Sequence, residues 1–226
     1  MTRPDPLASR LPRAVIFDCD GVLVDSEPIT NGVLSQMLVE LGLDFDLDRT
    51  IRTFMGKSLK DEMTAIERMI GRPLGADWHP QFVRRRDAAL AVSVSEMPGV
   101  RAVVDRLAAL GVPFAVASGA DRAKMRLTLG RCGLLPFFER RMFGADMVAR
   151  PKPAPDVYQL ALQTLGVAPK DAIVIEDTPT GTRAGVAAGA TVYGLSTLNR
   201  PAALMEAGAS LTFEHMDQLP DLLGLG

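Results

Sequence analysis

The sequence predicts an α/β fold: a three-layer, Rossmann-like core built on a parallel sheet, together with a small all-helical cap domain. Short apolar runs bounded by turn residues, such as Ala14–Phe17, are typical of buried central strands. After Pro98 such runs alternate with helical segments, which implies parallel strands joined by right-handed helical crossovers. We therefore expect the core to comprise residues 1–27 and 97–226, and the cap to comprise residues 28–96.

The elements follow in order along the chain. Residues 28–96 show helical periodicity and no convincing strand. A further helix should begin at Thr178, as N-cap, with Pro179 in the first helical position. The other predicted helices span 100–110, 121–131, 155–165 and 200–207, with a final helical turn near the C-terminus. The predicted strands span 14–17, 113–117, 141–143, 172–175, 191–195 and 210–213.

The composition is that of an ordinary globular chain. It has 226 residues, of which 47% are hydrophobic and 23% charged, and its formal net charge is −2. Such a charge gives no basic field for a nucleic acid or an anionic membrane, so a small-molecule ligand is favoured. No obligate protein partner is evident in the sequence. Cys19 and Cys132 match no metal or disulfide spacing, and residues 1–12 lack a long apolar run. A cytoplasmic location is expected.

Four polar clusters follow predicted strands. They are Asp18 with Asp20, Ser118 with Gly119, Lys152 in a proline-rich loop, and Glu176 with Asp177. The carboxyl ends of parallel strands share one edge of a sheet, where open α/β folds bind their ligands. We therefore expect residues more than 150 positions apart in sequence to meet in one crevice.

Each cluster also has an ordinary structural explanation. Asp18 and Asp20 alone would most simply cap the turn that follows the strand. Ser118 alone would most simply cap the following helix, and Lys152 alone would be a solvated loop charge. Glu176 and Asp177 would be acids satisfied by a helix N-terminus. A purely structural origin of the pattern would require all of these explanations to hold at once. The joint pattern therefore favours a functional site.

In this order, the four clusters resemble the four motifs of the haloacid dehalogenase superfamily, over roughly residues 13–223. The resemblance is to the branch with a helical cap inserted after the first strand, which includes phosphoglycolate phosphatases and β-phosphoglucomutases. It implies that Asp18 is the nucleophile that takes the phosphoryl group. Asp20 would protonate the leaving oxygen and then activate water, while Ser118, Gly119 and Lys152 would hold phosphoryl oxygens.

The resemblance also implies a Mg²⁺ cofactor. Its ligands would be Asp18, the backbone carbonyl of Asp20, Glu176 and Asp177, although the sequence leaves open whether Glu176 binds the metal directly. The chemistry fits these residue types. A carboxylate can attack phosphorus only when the repulsion between anions is relieved, and Mg²⁺ prefers carboxylate oxygens. Lys152 would supply a further positive charge and keep Asp18 ionised.

The predicted cap offers weaker candidates. A loop at Phe54–Ser58 matches the place where relatives direct a glycine-containing loop toward the site, so Lys57 and Ser58 are candidates for substrate selection. A surface position for Lys57 is the alternative. Arg84, Arg85 and Arg86 occupy consecutive helical positions, point in different directions, and cannot all reach one site.

The sequence favours a phosphatase acting on a sugar phosphate or a sugar-acid phosphate. A phosphomutase of this branch is the alternative, but such mutases carry a histidine near Thr30 and an arginine at the position of Leu59. A haloacid dehalogenase needs no acid at the position of Asp20, so this residue argues against that chemistry. A catalytically idle phosphate-binding module is disfavoured, because no motif residue is missing.

Overall fold

The computed structural model describes residues 11–54, 59–197 and 199–225. The chain forms two compact units. Ser26–Ser95 makes up one of them, and the described residues on either side of it make up the other. Within these described ranges, no helix is long and apolar enough to cross a membrane.

The larger unit is built on a six-stranded parallel sheet. The strands of the molecule are β1 (Ala14–Phe17), β2 (Val24–Asp25), β3 (Ser95–Glu96), β4 (Phe114–Ala117), β5 (Met142–Phe143), β6 (Ala172–Glu176), β7 (Thr191–Leu195) and β8 (Leu211–Phe213). The order across the sheet is β5-β4-β1-β6-β7-β8, and every pairing is parallel. β2 and β3 form a separate two-stranded sheet.

β1 lies between β4 and β6, and every residue of these three strands is buried. Such strands are almost wholly apolar because both faces of the sheet are covered. In the register, Phe17 is opposite Val116 on one side and Ile175 on the other. The carboxyl ends of the three central strands therefore lie at the same edge of the sheet.

Helices cover both faces of this sheet. The α-helices of the described residues are α1 (Glu27–Glu40), α2 (Leu47–Phe54), α3 (Leu59–Ile70), α4 (Trp78–Ser93), α5 (Val100–Ala109), α6 (Arg122–Arg131), α7 (Leu135–Phe138), α8 (Asp156–Leu165), α9 (Pro179–Ala187), α10 (Pro201–Glu206) and α11 (Leu219–Leu222). On one face α8 and α9 contribute Tyr158 and Ala184 to a core with Ile16 and Val174. On the other, Phe138 of α7 packs edge-on against Phe17 and Phe114. The predicted three-layer α/β fold is confirmed.

The smaller unit consists of α1 to α4 in its described part. Its hydrophobic core is formed by side chains from α1, α2, α3, α4 and the loop before α2, namely Val33, Leu34, Met37, Leu38, Phe45, Phe54, Ile66, Trp78 and Phe82. The rings of Trp78 and Phe82 stack with centroids 5.9 Å apart. The helical character predicted for this stretch is therefore seen in the described residues.

The structure departs from the predicted elements at several points. Val24–Asp25 and Ser95–Glu96 form short strands, and Leu135–Phe138 forms a helical turn, none of which the sequence pattern predicts. Elements of two to four residues are too short to show a periodic pattern. In addition, Glu176 is the last residue of β6 rather than the first residue after it.

Candidate active site

Predicted site residues from three of the four clusters lie together at the carboxyl edge of the sheet, around the ammonium group of Lys152. Lys152 Nζ is 2.7 Å from Asp18 Oδ1 and 2.7 Å from Glu176 Oε1. It is also 2.8 Å from the hydroxyl of Tyr158 and 3.1 Å from the carbonyl oxygen of Ala117. The lysine side chain is only 8% exposed. A solvated loop charge, the alternative suggested by sequence, is therefore wrong.

The charges of this cluster are strongly coupled. The pKa of Asp18 is raised to about 7: burial is the largest cause and Glu176 adds to it, whereas Lys152 acts in the opposite direction. Burial would lower the pKa of Lys152, but Asp18 and Glu176 outweigh that effect and hold it above its usual range. Burial likewise opposes ionisation of Glu176, yet Lys152 keeps the pKa of this carboxyl low. Lys152 alone does not compensate the buried charge of Asp18, so a second cation would favour the ionised nucleophile.

Glu176 is engaged by hydrogen-bond donors at both carboxylate oxygens. Oε1 accepts from Lys152 and from the Tyr158 hydroxyl at 2.8 Å. Oε2 accepts from the backbone N–H of Asp177, and from the backbone N–H and hydroxyl of Thr178, each at 3.0 Å. Part of the alternative explanation thus holds, because Glu176 does satisfy donors at a helix N-terminus. The same carboxylate also fixes Lys152 beside Asp18.

Three buried carboxylates at this edge fit a metal ion. Asp18, Glu176 and Asp177 each offer an oxygen atom, and these atoms all lie within 4.8 Å of one another. Hard divalent cations prefer such oxygen ligands. Gly21 provides room for this arrangement: it has a φ of 78°, and a Cβ atom there would collide with the carboxylate of Asp177. The donor set and the space around it therefore match a small divalent cation.

Ser118 and Gly119 follow β4 and precede α6. The hydroxyl of the buried Ser118 accepts a hydrogen bond from the Ala120 backbone N–H at 3.0 Å. The N-cap of α6 is Asp121, which accepts from the Lys124 backbone N–H at 2.8 Å. The alternative in which Ser118 caps the helix is therefore wrong. Gly119 is exposed, and a Cβ there would meet no atom within 4 Å.

Asp20 lies on the loop after β1, where its carboxylate forms an ion pair with Lys124 at 2.9 Å. The sequence interpretation did not anticipate this partner, nor the contacts of Tyr158. Asn199 was also missed, and its side chain donates to the Asp177 carbonyl at 2.9 Å. Tyr158 and Lys124 could have been noticed, unlike Asn199. Both lie on the buried faces of their helices, where polar side chains are unusual.

Of the candidate residues predicted between 28 and 96, some lie outside the described residues and others form ion pairs with neighbouring acids. Lys57 and Ser58 lie outside the described residues. Arg85 forms an ion pair with Glu40 at 2.6 Å, and Arg86 forms one with Asp87 at 2.8 Å. The consecutive arginines thus point to different partners, as their helical positions predict.

Comparison with known families identifies the class of protein. The model of the haloacid dehalogenase-like hydrolases matches residues 12–189, a span that includes the Asp18, Ser118, Lys152 and Glu176 clusters. The chain belongs to this family. The predicted family and enzyme class are confirmed.

Individual relatives show how far the similarity extends. The 6-phosphogluconate phosphatase of Escherichia coli is 28% identical over 209 residues, which cover 92% of this chain and 93% of that protein. Hexitol phosphatase A of the same organism is 31% identical and covers 81% of this chain and 83% of its own length. A solved structure of a HAD family hydrolase from Deinococcus radiodurans, with bound phosphate and sodium, has a TM-score of 0.81 at 34% identity. The match covers 96% of this chain and 98% of that one.

Proposed function

We propose that this protein is a Mg²⁺-dependent phosphatase that hydrolyses a small phosphorylated metabolite through an aspartyl-phosphate on Asp18. The observation that carries the proposal is the contact of Lys152 with both Asp18 and Glu176 at 2.7 Å, at the carboxyl edge of the sheet. Membership of the hydrolase family and the named phosphatases among its relatives support it.

In the first step, Asp18 attacks phosphorus and the bond to the leaving oxygen breaks. The Asp18 carboxylate is held in one position by Lys152, so it is already oriented for attack. Lys152 and the hydroxyl and backbone donors at Ser118 and Gly119 would stabilise negative charge on the phosphoryl oxygens. Positioning and charge neutralisation provide most of the catalysis in phosphoryl transfer.

Asp20 serves both halves of the reaction. In its protonated form it donates a proton to the leaving oxygen, and in the second half the resulting carboxylate takes a proton from the water that attacks the aspartyl-phosphate, which restores the acid. Release of phosphate then restores Asp18. General acid–base catalysis of this kind contributes about 10²–10⁴-fold to the rate.

Asp18, Asp177 and the backbone carbonyl of Asp20 would hold Mg²⁺, which when bound neutralises charge between the nucleophile and the phosphoryl group. Glu176, which already accepts hydrogen bonds at both oxygens, is better suited to orient Lys152 and the turn at Thr178 than to bind the metal directly. Glu176 would thus support the metal ligands without binding the metal itself.

The substrate class we propose is a sugar phosphate or a sugar-acid phosphate. The relatives named as phosphatases of 6-phosphogluconate and of hexitols support this class. Thr30 and Leu59 stand where phosphomutases of the branch carry a histidine and an arginine, so hydrolysis is favoured over return of the phosphate to the sugar.

A panel of phosphorylated metabolites, assayed with Mg²⁺ and detection of free phosphate, tests the proposal. We expect phosphate release from at least one sugar phosphate or sugar-acid phosphate, and its loss on chelation with EDTA. Isomerised substrate without free phosphate would assign a mutase. Binding without turnover of any compound would contradict enzymatic function.

A further inference from the structure

Lys124 is a buried lysine outside the four motif clusters. It is the third residue of α6, and its Nζ lies 2.9 Å from Asp20 Oδ1, across 104 positions of sequence. The side chains of Lys124 and Asp20 are only 10% and 16% exposed. Lysine is almost never so buried unless it is paired, because desolvation of the charge and lost rotamer freedom both oppose burial. The pairing with Asp20 accounts for the inward position.

The backbone of Lys124 is itself fixed. Its N–H donates to the Asp121 side chain at 2.8 Å, and its carbonyl accepts from the Thr128 hydroxyl at 3.1 Å. That hydroxyl also lies 4.0 Å from the Sγ of buried Cys19. Helix α6 thus contacts two consecutive residues of the loop after β1, Cys19 through Thr128 and Asp20 through Lys124.

We propose that Lys124 is a positioning residue that holds the carboxylate of Asp20 in the orientation required for proton transfer. This inference rests on the proposed phosphatase function. Proton transfer needs a carboxylate oxygen within about 2.6–3.2 Å of the atom it serves. A carboxylate on a loop would otherwise sample several rotamers, and the ion pair to a rigid helix restricts that sampling. Lys152, engaged with Asp18 and Glu176, serves the nucleophile in the same way.

The substitution Lys124→Met tests this role, because it removes the charge and keeps most of the length of the side chain. The effect should depend on the leaving group. A sugar phosphate loses an alkoxide that must be protonated, whereas acetyl phosphate loses a carboxylate that is stable without a proton. We expect kcat/KM for the most active sugar phosphate to fall by about tenfold or more, within the range of general acid catalysis. The value for acetyl phosphate should fall by less than about threefold.

Two further variants separate positioning from stability. Lys124→Arg keeps the cation and should recover much of the lost kcat/KM. Arg126→Met, on the same helix, removes an exposed cation that pairs with Glu139, and should behave as wild type. Thermal unfolding of all variants identifies any loss that arises from unfolded protein. If Lys124→Met does not fold, Lys124→Gln replaces it.

A double-mutant cycle with Asp20→Asn gives the sharpest result. If Lys124 acts through Asp20, adding Lys124→Met to Asp20→Asn should cause no further loss of kcat/KM for the sugar phosphate. A fully additive loss, or an equal fall for both substrates, would overturn the positioning role. Phosphate release by the wild-type protein distinguishes a failure of the role proposed for Lys124 from a failure of the proposed phosphatase function. An active wild type with additive variants contradicts only the role of Lys124, whereas a wild type that releases no phosphate from any substrate contradicts both.

Discussion

At the scale of single residues, each of the two proposed catalytic acids forms an ion pair with a different lysine. Lys152 contacts Asp18, and Lys124 contacts Asp20. Both lysines are distant in sequence from the acids that they contact, 104 positions from Asp20 and 134 positions from Asp18. This arrangement keeps two acids in one small volume while giving each a separate cation.

The substitution Asp20→Asn tests the role of the second acid. We expect phosphate release from a sugar phosphate to fall by about 10²–10⁴-fold, because the amide can neither donate the proton nor activate water. Mg²⁺ affinity, measured by calorimetry, should change little because the proposed ligand at this position is the backbone carbonyl. Loss of metal binding with retained hydrolysis of an aryl phosphate would reverse this assignment.

The substitution Tyr158→Phe tests the buried network behind the nucleophile. It removes a hydroxyl that contacts both Lys152 and Glu176 at 2.8 Å. We expect the free energy of unfolding to fall by about 1.5–3 kcal/mol, the usual range for a hydrogen bond to a charged group. Urea unfolding measures this directly. An unchanged stability would show that the remaining partners of Lys152 and Glu176 suffice.

At the scale of elements, the loop after β1 packs closely against the turn after β6. Gly21 has a positive φ and lies against the Asp177 carboxylate. Thr178 caps α9 by accepting from the Gly181 backbone N–H at 3.1 Å, as the sequence predicted. The two segments therefore present their acids to the same volume.

Gly21→Ala should disrupt that fit. The residue would suffer both the strain of a positive φ and a collision with Asp177, so we expect a clear loss of stability and weaker Mg²⁺ binding. Gly111→Ala is the matched control, since Gly111 also has a positive φ but nothing within 4 Å of a Cβ. The control should cost only the conformational strain, roughly 1–2 kcal/mol. Equal stability and equal metal affinity in the two variants would contradict the role given to Gly21.

At the scale of the whole molecule, metal binding and folding should be linked. A ligand that binds only the folded state stabilises it by about 2.7 kcal/mol at 100 times its Kd. We therefore expect Mg²⁺ to raise the melting temperature of the wild type and EDTA to reverse the increase. Asp177→Asn should show a smaller increase. The same increase in that variant would place the metal elsewhere.

The sheet was predictable because its central strands are buried on both faces, and Ala14–Phe17 and Ala172–Ile175 are therefore continuously apolar. The meeting of Asp18, Lys152, Glu176 and Asp177 followed from parallel topology. The contacts of Lys124 did not follow, because its place on the buried face of α6 marks the lysine as unusual but does not identify a partner 104 positions away. Asn199 and Tyr158 were missed for the same reason. Pairing at long range depends on packing that periodicity does not describe.

The proposed mechanism depends above all on transfer of the phosphoryl group to Asp18. We would quench wild-type protein with acid during turnover of a substrate from the metabolite panel, and locate bound phosphate by mass spectrometry of peptides. We predict a base-labile phosphate on Asp18, and neither this adduct nor more than a few per cent of wild-type phosphate release in a folded Asp18→Asn variant. Phosphate on another residue, or substantial turnover by Asp18→Asn, would show that Asp18 is not the nucleophile.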